Sequence, residues 1–376
     1  MSLKIIHSGD IHIGLKFNNY PDYIQDKLIK ARFDVIDTLV NKANERKANL
    51  LVIAGDLFDK HNISEKSVLK VINKFDRFSG DAILILPGNH DFDNGGVELW
   101  QKFRNNLSDK IILLNEKKVY DLKKFDLNVK VYAAPCDGKH SSTNNLSWIK
   151  NRNFIEQKMI GNENKYKIIV AHGALDGISP DMTDEYFKMS RDELKKLEMD
   201  LYLLGHTHLP YPFEKRVINR KIFNCGTPEP DGMNYSKKGN CWFIEIDKNN
   251  NIEAEQIKTG KFRFYDLDYE ISNKEEFNKL KKQLLKNKAK NKLVRIKLNG
   301  SIDEKLYRNK ENIYKDLKKK LAYFKVEDSD LKIKISTEVI KKEFSENSFP
   351  ARVLEELKDD DKALQLAYEY IKEVRS

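Results

Sequence analysis

Apolar residues in this chain fall in short runs separated by longer amphipathic stretches. Residues 3 to 6 and 50 to 54 read as buried strands, and residues 24 to 46 between them set Leu28, Ala31, Val35, Ile36 and Leu39 on one helical face. The alternation continues with helices over 65 to 78 and 97 to 103 and strands over 83 to 86, 111 to 114 and 129 to 134. Further strands are predicted at 168 to 171, 201 to 204, 221 to 224 and 241 to 246. Strands alternating with helices predict an α/β sheet architecture. Polar, Gly-containing stretches at 138 to 147 and 161 to 166 read as surface loops.

Near residue 260 the pattern changes. Strands over 262 to 271, 293 to 298 and 331 to 335 enclose lysine-rich helices over 275 to 286 and 304 to 322, which predicts a second, smaller α/β domain. From about Thr337 the chain reads as a tether followed by two short amphipathic helices. Ser348 and Pro350 give the first helix a cap and first-turn signal, and Val353, Leu354 and Leu357 line its apolar face. The second carries Ala363, Leu364, Leu366, Ala367, Tyr370, Ile371 and Val374. Helices this short bury their apolar faces against their own protein or a partner. The expected division is therefore 1–258, 259–336 and 337–376.

Composition narrows the class. A chain of 376 residues, 40% hydrophobic and 34% charged, has the makeup of a globular protein with a substantial core. No run reaches the roughly 18 to 20 apolar residues of a membrane span, and no secretory signal opens the chain, so a cytoplasmic protein without membrane attachment is expected. The three cysteines, Cys136, Cys225 and Cys241, are widely spaced and odd in number, which argues against a disulfide framework or a paired-cysteine zinc site. The net charge of +10 is concentrated: residues 281 to 320 hold 15 Lys/Arg and 4 Asp/Glu, or 15 − 4 = +11. Such a block is either a solvated lysine face or a contact for a polyanion.

Five segments carry candidate chemistry, each at the end of a predicted strand, where ligands gather in α/β folds. They are Asp10-Ile11-His12, Gly55-Asp56-Leu57-Phe58-Asp59, Gly88-Asn89-His90-Asp91, His172-Gly173 and Gly205-His206-Thr207-His208. Pairs spaced i, i+2 send both side chains the same way from an extended backbone, and the glycines permit sharp turns. Five of the eight histidines lie in these segments. Oxygen and imidazole donors without thiolate suit Mn²⁺, Fe²⁺ or Zn²⁺.

In this order the segments resemble the D-x-H, G-D-x-x-D/H, G-N-H-D/E, H-x and G-H-x-H motifs of the calcineurin-like metallophosphoesterase superfamily, over roughly residues 4 to 246. Within it the chain is most similar to SbcD-type DNA repair nuclease subunits, through the residues His7 to Gly14, Gly55 to Phe58, the Gly226 and Gly239 segments, and the layout of the C-terminal third. The resemblance implies an αββα sandwich with a smaller α/β capping domain and a C-terminal helix pair. It implies two divalent ions, Mn²⁺ above all, one held by Asp10, His12, Asp56 and His208 and the other by Asp56, Asn89, His172 and His206. His90 stays uncoordinated and assists the leaving oxygen, with Asp91 orienting its ring, while a hydroxide activated between the metals attacks phosphorus. Also implied are a DNA substrate, docking of the helix pair on an SbcC-type coiled-coil ABC ATPase, and a homodimer. One position departs: the related nucleases usually carry His where this chain has Asp59, with His61 two residues further on. Two alternatives remain open at this point, a phosphoprotein or small-nucleotide phosphoesterase and a non-catalytic DNA-binding scaffold subunit. His7 and His140 fall outside every motif, Tyr211 and Phe213 read as core or rim aromatics, and the turn around Cys225 reads as structural.

Overall fold

A computed structural model of the chain describes residues 2–150, 166–179 and 184–375. It divides into two compact units, Met1–Arg263 and Phe264–Ser376.

The first unit contains β1 (Leu3–Ser8), α1 (Asp22–Glu45), β2 (Leu50–Ala54), α2 (Glu65–Phe75), β3 (Ala82–Leu86), α3 (Glu98–Arg104), β4 (Ile111–Leu113), β5 (Val119–Asp121) and β6 (Val129–Ala134). After these come β7 (Tyr166–His172), α4 (Arg191–Lys196), β8 (Leu201–Gly205), β9 (Pro210–Tyr211), β10 (Arg216–Ile218), β11 (Ile222–Cys225), β12 (Asn240–Ile246) and β13 (Ile252–Lys258). Two sheets result, ordered β10-β13-β12-β1-β2-β3-β4 and β5-β6-β7-β8-β11-β9.

The unbroken apolar sequence of β2, Leu50 to Ala54, is buried along its whole length because β2 is a central parallel strand covered on both faces. Its residues alternate between two cores. Leu51 and Ile53 join Ile6, Ile83 and Ile85 against α1, α2 and α3, where Leu39, Val71, Phe75 and Phe103 are buried. Leu50 and Val52 join Ile5 and Leu84 against Val131, Ile168, Val170 and Leu203 of the second sheet. That sheet's other face sets Tyr132, Ile169 and Leu204 against Leu194 of α4 and the nearby Leu146 and Ile149. The layers are therefore helix, sheet, sheet, helix, the αββα sandwich expected from the motifs.

The second unit contains β14 (Arg263–Ile271, which crosses the division), α5 (Lys274–Leu285), β15 (Lys292–Ile302), α6 (Glu304–Lys320), β16 (Tyr323–Ile333), α7 (Thr337–Glu343), α8 (Phe349–Glu356) and α9 (Asp361–Arg375). Its three strands lie in the order β14-β15-β16, with β15 and β16 parallel, and Phe277, Leu280, Tyr314 and Leu317 of the two longer helices complete the core.

Several boundaries differ from expectation for identifiable reasons. The stretch from Thr337 is a helix and no tether: Ser336 caps α7 by accepting from the Val339 amide, and Ile340 and Phe344 pack with Ala351, Leu354 and Leu364 of the next two helices. β16 begins at Tyr323, eight residues before the expected strand, because pairing with β15 carries it through the acidic run Glu327-Asp328. β13 has no counterpart among the expected strands, since its buried Ile252 and Ala254 alternate with charged residues and form no apolar run. Of the polar loop expected at 161 to 166, residues up to 165 lie outside the described part, and Tyr166 opens β7. Among the described residues no helix is long and apolar enough to cross a membrane.

Candidate metal centre

The centre is built where parallel strands end. β1 and β2 stay paired beyond their last residues: the Asp10 amide donates to the Gly55 carbonyl (3.0 Å), the Ile11 and His12 amides to that of Asp56 (2.9 and 3.0 Å), and the Ile13 amide to that of Leu57 (2.9 Å). Asp10, His12 and Asp56 have φ of 51°, 52° and 51°, in the left-handed region. Asp10 and His12 therefore do not share a direction through an extended backbone, as their spacing suggested. They converge because each left-handed residue turns the chain into the cleft, a costly conformation that concentrates at functional sites.

Close packing fixes two glycines. A Cβ on Gly55, whose φ is +91°, would stand 1.9 Å from His172 Nδ1, and one on Gly88 would stand 2.2 Å from Asp56 Oδ1.

The seven expected donors meet here. Donor atoms within 4.8 Å of one another group Asp10 with His12 and His208, Asp10 with Asp56 and His172, and His12 with Asp56 and His90. Asn89 Oδ1 lies 3.0 Å from His172 Nε2 and 3.1 Å from His206 Nδ1. His12 Nε2 faces His208 Nε2 at 3.2 Å, and His208 Nε2 lies 3.8 Å from Asp10 Oδ1. Asp10, His12, Asp56, Asn89 and His172 are buried. Burial pushes the Asp56 carboxyl up, but His172 beside it outweighs that and holds it below the usual carboxylate range. His172 behaves conversely: burial pulls it down, and Asp56 at 3.4 Å raises it to about 9. Asp10, deprived of water, is raised.

The remaining nitrogens are committed elsewhere. His172 Nδ1 lies 2.9 Å from the Ala54 carbonyl and His208 Nδ1 lies 2.8 Å from Asp231 Oδ2, so each ring presents Nε2 to the cleft. Oxygen and imidazole donors, two of them carboxylates with φ-strained backbones, fit two divalent ions of the Mn²⁺, Fe²⁺ or Zn²⁺ type.

His90 is the exposed member. Its amide donates to Asp56 Oδ1 (2.9 Å) and its ring meets that of His12 edge-on at 4.9 Å. Asp91, expected to orient the His90 ring, makes its hydrogen bonds to the main chain. Both Asp91 oxygens accept main-chain amides, from Phe58 (2.9 Å) and Gly88 (2.7 Å), so this carboxylate ties two motif loops together. Burial, with Asp56 nearby, raises it to about 8 against those two donors. The group 3.2 Å from His90 Nδ1 is instead the main-chain carbonyl of Asp59. The Asp59 carboxylate lies 3.7 Å from His12 Nδ1. His61 packs edge-on against Phe92 at 4.3 Å, apart from the donor groups.

Four other neighbours carried no sequence motif. Asp231 orients His208 from a proline-rich turn. Arg32 of α1 is buried and donates through Nη1 to the Ile11 carbonyl (3.2 Å) and the Glu229 carbonyl (2.7 Å), bracing the Asp10–His12 loop. The Cys225 thiol, pushed well up by burial and then by Asp10, donates to Asp10 Oδ2 at 3.2 Å, which suits a structural thiol. Tyr186 stacks on His206 with centroids 5.1 Å apart. Only long-range packing reveals them; for Asp231 the available hint was its place in the Gly226 segment. His7 is a core residue of β1, 3.1 Å from the Leu204 carbonyl and lowered by burial to about 3.

The calcineurin-like phosphoesterase family model matches residues 3–210, and the chain belongs to that family. The matched span includes all seven donors and ends before Asp231. Among relatives, the chain is 21% identical over 278 residues to the DNA double-strand break repair protein Mre11 of Methanopyrus kandleri, covering 68% of this chain and 57% of the relative. It is 24% identical over 233 residues to the SbcD subunit of the nuclease SbcCD of Staphylococcus saprophyticus, covering 58% and 59%. It is also 24% identical over 211 residues to the uncharacterized metallophosphoesterase YhaO of Bacillus subtilis, covering 55% and 48%. The chain thus spans about half to three-fifths of the length of these relatives. Among solved structures, the yellow lupin purple acid phosphatase PPD1 aligns with a TM-score of 0.40 at 13% identity, over 69% of this chain and 52% of that one.

Proposed function

We propose that this protein is a two-metal phosphodiesterase acting on DNA, the nuclease subunit of an SbcCD-type repair complex in the cytoplasm. The observation that carries the reading is the convergence of Asp10, His12, Asp56, Asn89, His172, His206 and His208 beside an exposed His90. The names of the Mre11 and SbcCD relatives support DNA as the substrate.

In this reading one ion, Mn²⁺ by expectation, is held by Asp10, His12, Asp56 and His208, and a second by Asp56, Asn89, His172 and His206. Bound there, the pair supplies Lewis-acid activation of a water and neutralises phosphate charge. The protein's own groups do the rest. Asn89 adds an oxygen donor without another negative charge beside an anionic substrate. His90, open to the cleft, would act as the imidazolium, giving the Nε2 proton to the departing oxygen and becoming the neutral ring, while the Asp59 carbonyl accepts from Nδ1 before and after the transfer and so fixes the ring's direction. Asp91 holds the loop that carries His90.

The same reading makes 1–258 the nuclease domain, 259–336 a capping domain that contacts DNA, and 337–376 the element that docks on an SbcC-type coiled-coil ATPase, in a homodimeric assembly. Exposed Phe349, Leu366, Tyr370 and Val374 on the terminal helices support the docking role.

The test is Mn²⁺-dependent cleavage of single- and double-stranded oligonucleotides by the wild type and His90→Ala. His90→Ala is expected to lower cleavage by roughly 10²- to 10⁴-fold while binding Mn²⁺ normally. Wild-type protein that hydrolyses bis-p-nitrophenyl phosphate but neither form of DNA, even with its ATPase, would sink the DNA assignment.

A further inference from the structure

A cavity of about 530 Å³ lies away from the metal centre, at the end of the second sheet where β8 and β11 begin. The metal donors sit at the opposite, C-terminal end of β8. Tyr202 in the cavity wall and His206 at the centre are four residues apart, about 13 Å along a strand.

Its walls are strongly cationic. Arg191 and Lys195 come from α4, and Arg220 and Lys221 from the turn between β10 and β11, against a single carboxylate, Glu198. Lys195 pairs with Asp192 at 3.3 Å, and Lys221 donates to the Met199 carbonyl at 3.2 Å. Arg191 and Arg220 are exposed and have no carboxylate partner among the described residues. Planar guanidinium groups left unpaired at the mouth of a concavity recognise phosphate oxygens in bidentate fashion.

The cavity also has aromatic walls. Tyr202 is fixed with its hydroxyl accepting from the Met199 amide at 3.0 Å. Tyr211 meets Phe213 edge-on at 5.9 Å; Phe213 is 55% exposed, with Lys237 5.2 Å over its ring. Tyr211 lies on β9, the edge strand of its sheet, three residues after His208. Tyr202 is buried, so Tyr211, half-buried, is the wall aromatic with a face open to the cavity, and Phe213 lies beside the cavity and not in its lining. Cations beside a partly open aromatic ring are a combination that binds single-stranded nucleic acid, and the volume falls in the range of small-ligand sites.

We propose that this cavity is a nucleotide subsite distinct from the metal centre, in which Arg191 and Arg220 hold phosphate and Tyr211 stacks on a base. The proposal rests on the phosphodiesterase reading above and specifies where a strand reaching the edge of the second sheet is held. The same chemistry could be presented by a segment of single-stranded DNA or by a released nucleotide.

The whole chain in EDTA is titrated with a fluorescein-labelled oligo-dT across a series of salt concentrations, and separately with dTMP, for the wild type and Arg191→Ala/Arg220→Ala. Both arginines are exposed, and thermal unfolding confirms that the double variant folds. The expected result is at least tenfold weaker oligo-dT binding, with the slope of log affinity against log salt reduced by about 1.4, or ~0.7 for each lost phosphate contact. Hydrolysis of bis-p-nitrophenyl phosphate is expected to be unchanged. A matching loss for dTMP identifies a released nucleotide as an occupant, and a loss confined to oligo-dT identifies a strand segment. Equal affinity and slope in wild type and variant overturn the subsite and leave the nuclease reading standing. Wild-type protein that binds neither ligand overturns the subsite, and DNA cleavage then decides the nuclease reading independently.

Discussion

A histidine offers a cation one nitrogen in a defined direction only if its other nitrogen is engaged elsewhere. Asp231 does this for His208 at 2.8 Å. Asp231→Ala frees the ring to rotate and removes a negative charge from the second layer of contacts, so Mn²⁺ binding measured by calorimetry is expected to weaken 10- to 100-fold. Unchanged affinity would show that His208 needs no such anchor. His172 sets the pH dependence. In the metal-free protein its pKa is raised to about 9, because Asp56 outweighs burial. A proton on His172 competes with a cation, so the sign is that affinity rises with pH below about 9 and levels off above it. Between pH 7 and 9 the slope is about tenfold per unit for one displaced proton. Titrations in two buffers of different ionisation enthalpy should report about one proton released per metal pair. Release of none would mean that His172 is already neutral or takes no part.

At the scale of elements, the centre depends on how tightly β2, β3 and β7 end against one another. Gly55→Ala places a methyl 1.9 Å from His172 Nδ1 at a φ of +91°, where neither the imidazole nor the backbone can yield cheaply. A stability loss on the order of 3 kcal/mol or more is expected, with loss of metal binding, readable as a lowered urea midpoint. A variant with wild-type stability would mean that the loop relaxes freely. Elsewhere element boundaries were decided by partners. β16 extends through acidic residues because β15 pairs with it along nine registered positions, and α7 forms because Ile340 and Phe344 find Ala351, Leu354 and Leu364 to cover them.

On the scale of the whole molecule, the charge is distributed differently from what its position along the chain suggested. Phe264–Ser376 holds 27 Lys/Arg and 22 Asp/Glu, or 27 − 22 = +5; subtracting from 68 and 58 leaves 41 − 36 = +5 for Met1–Arg263. The two units are equally basic, and the +11 of residues 281 to 320 is a polarity within the second one. Part of it is matched internally: Lys281 and Lys320 pair with Asp316, Arg295 with Asp266, Lys297 with Asp330 and Lys310 with Asp328. Arg308 pairs with Glu304 and Lys292 donates to the Leu284 carbonyl, so Lys282, Lys286, Lys288, Lys290, Lys305, Lys315, Lys318 and Lys319 carry what remains. Each unit also has its own core, so two unfolding transitions are expected in calorimetry. Because all the donors lie in the first unit, Mn²⁺ at 100 times its dissociation constant should stabilise that transition by ~2.7 kcal/mol for each ion bound and leave the other in place. Equal shifts of both would show that the units unfold as one.

The sequence by itself determined which candidate donors come together at the centre. Asp10, His12, Asp56, Asn89, His90, His172, His206 and His208 were legible because motif loops are local and each carries its donors within a few residues of a strand end. The sandwich was legible for the same reason, since buried parallel strands are continuous apolar runs. What the tertiary structure decided was orientation. Asp231 lies 23 residues beyond the last donor, Arg32 lies on a helix before β2, and the carbonyl beside His90 belongs to Asp59, whose side chain stands out in the motif for a different reason. Hydrogen bonds between residues 20 to 200 positions apart leave no periodicity in a chain. The task of directing a nitrogen, bracing a loop or stacking on a ring therefore became readable only once the strands had brought those residues together.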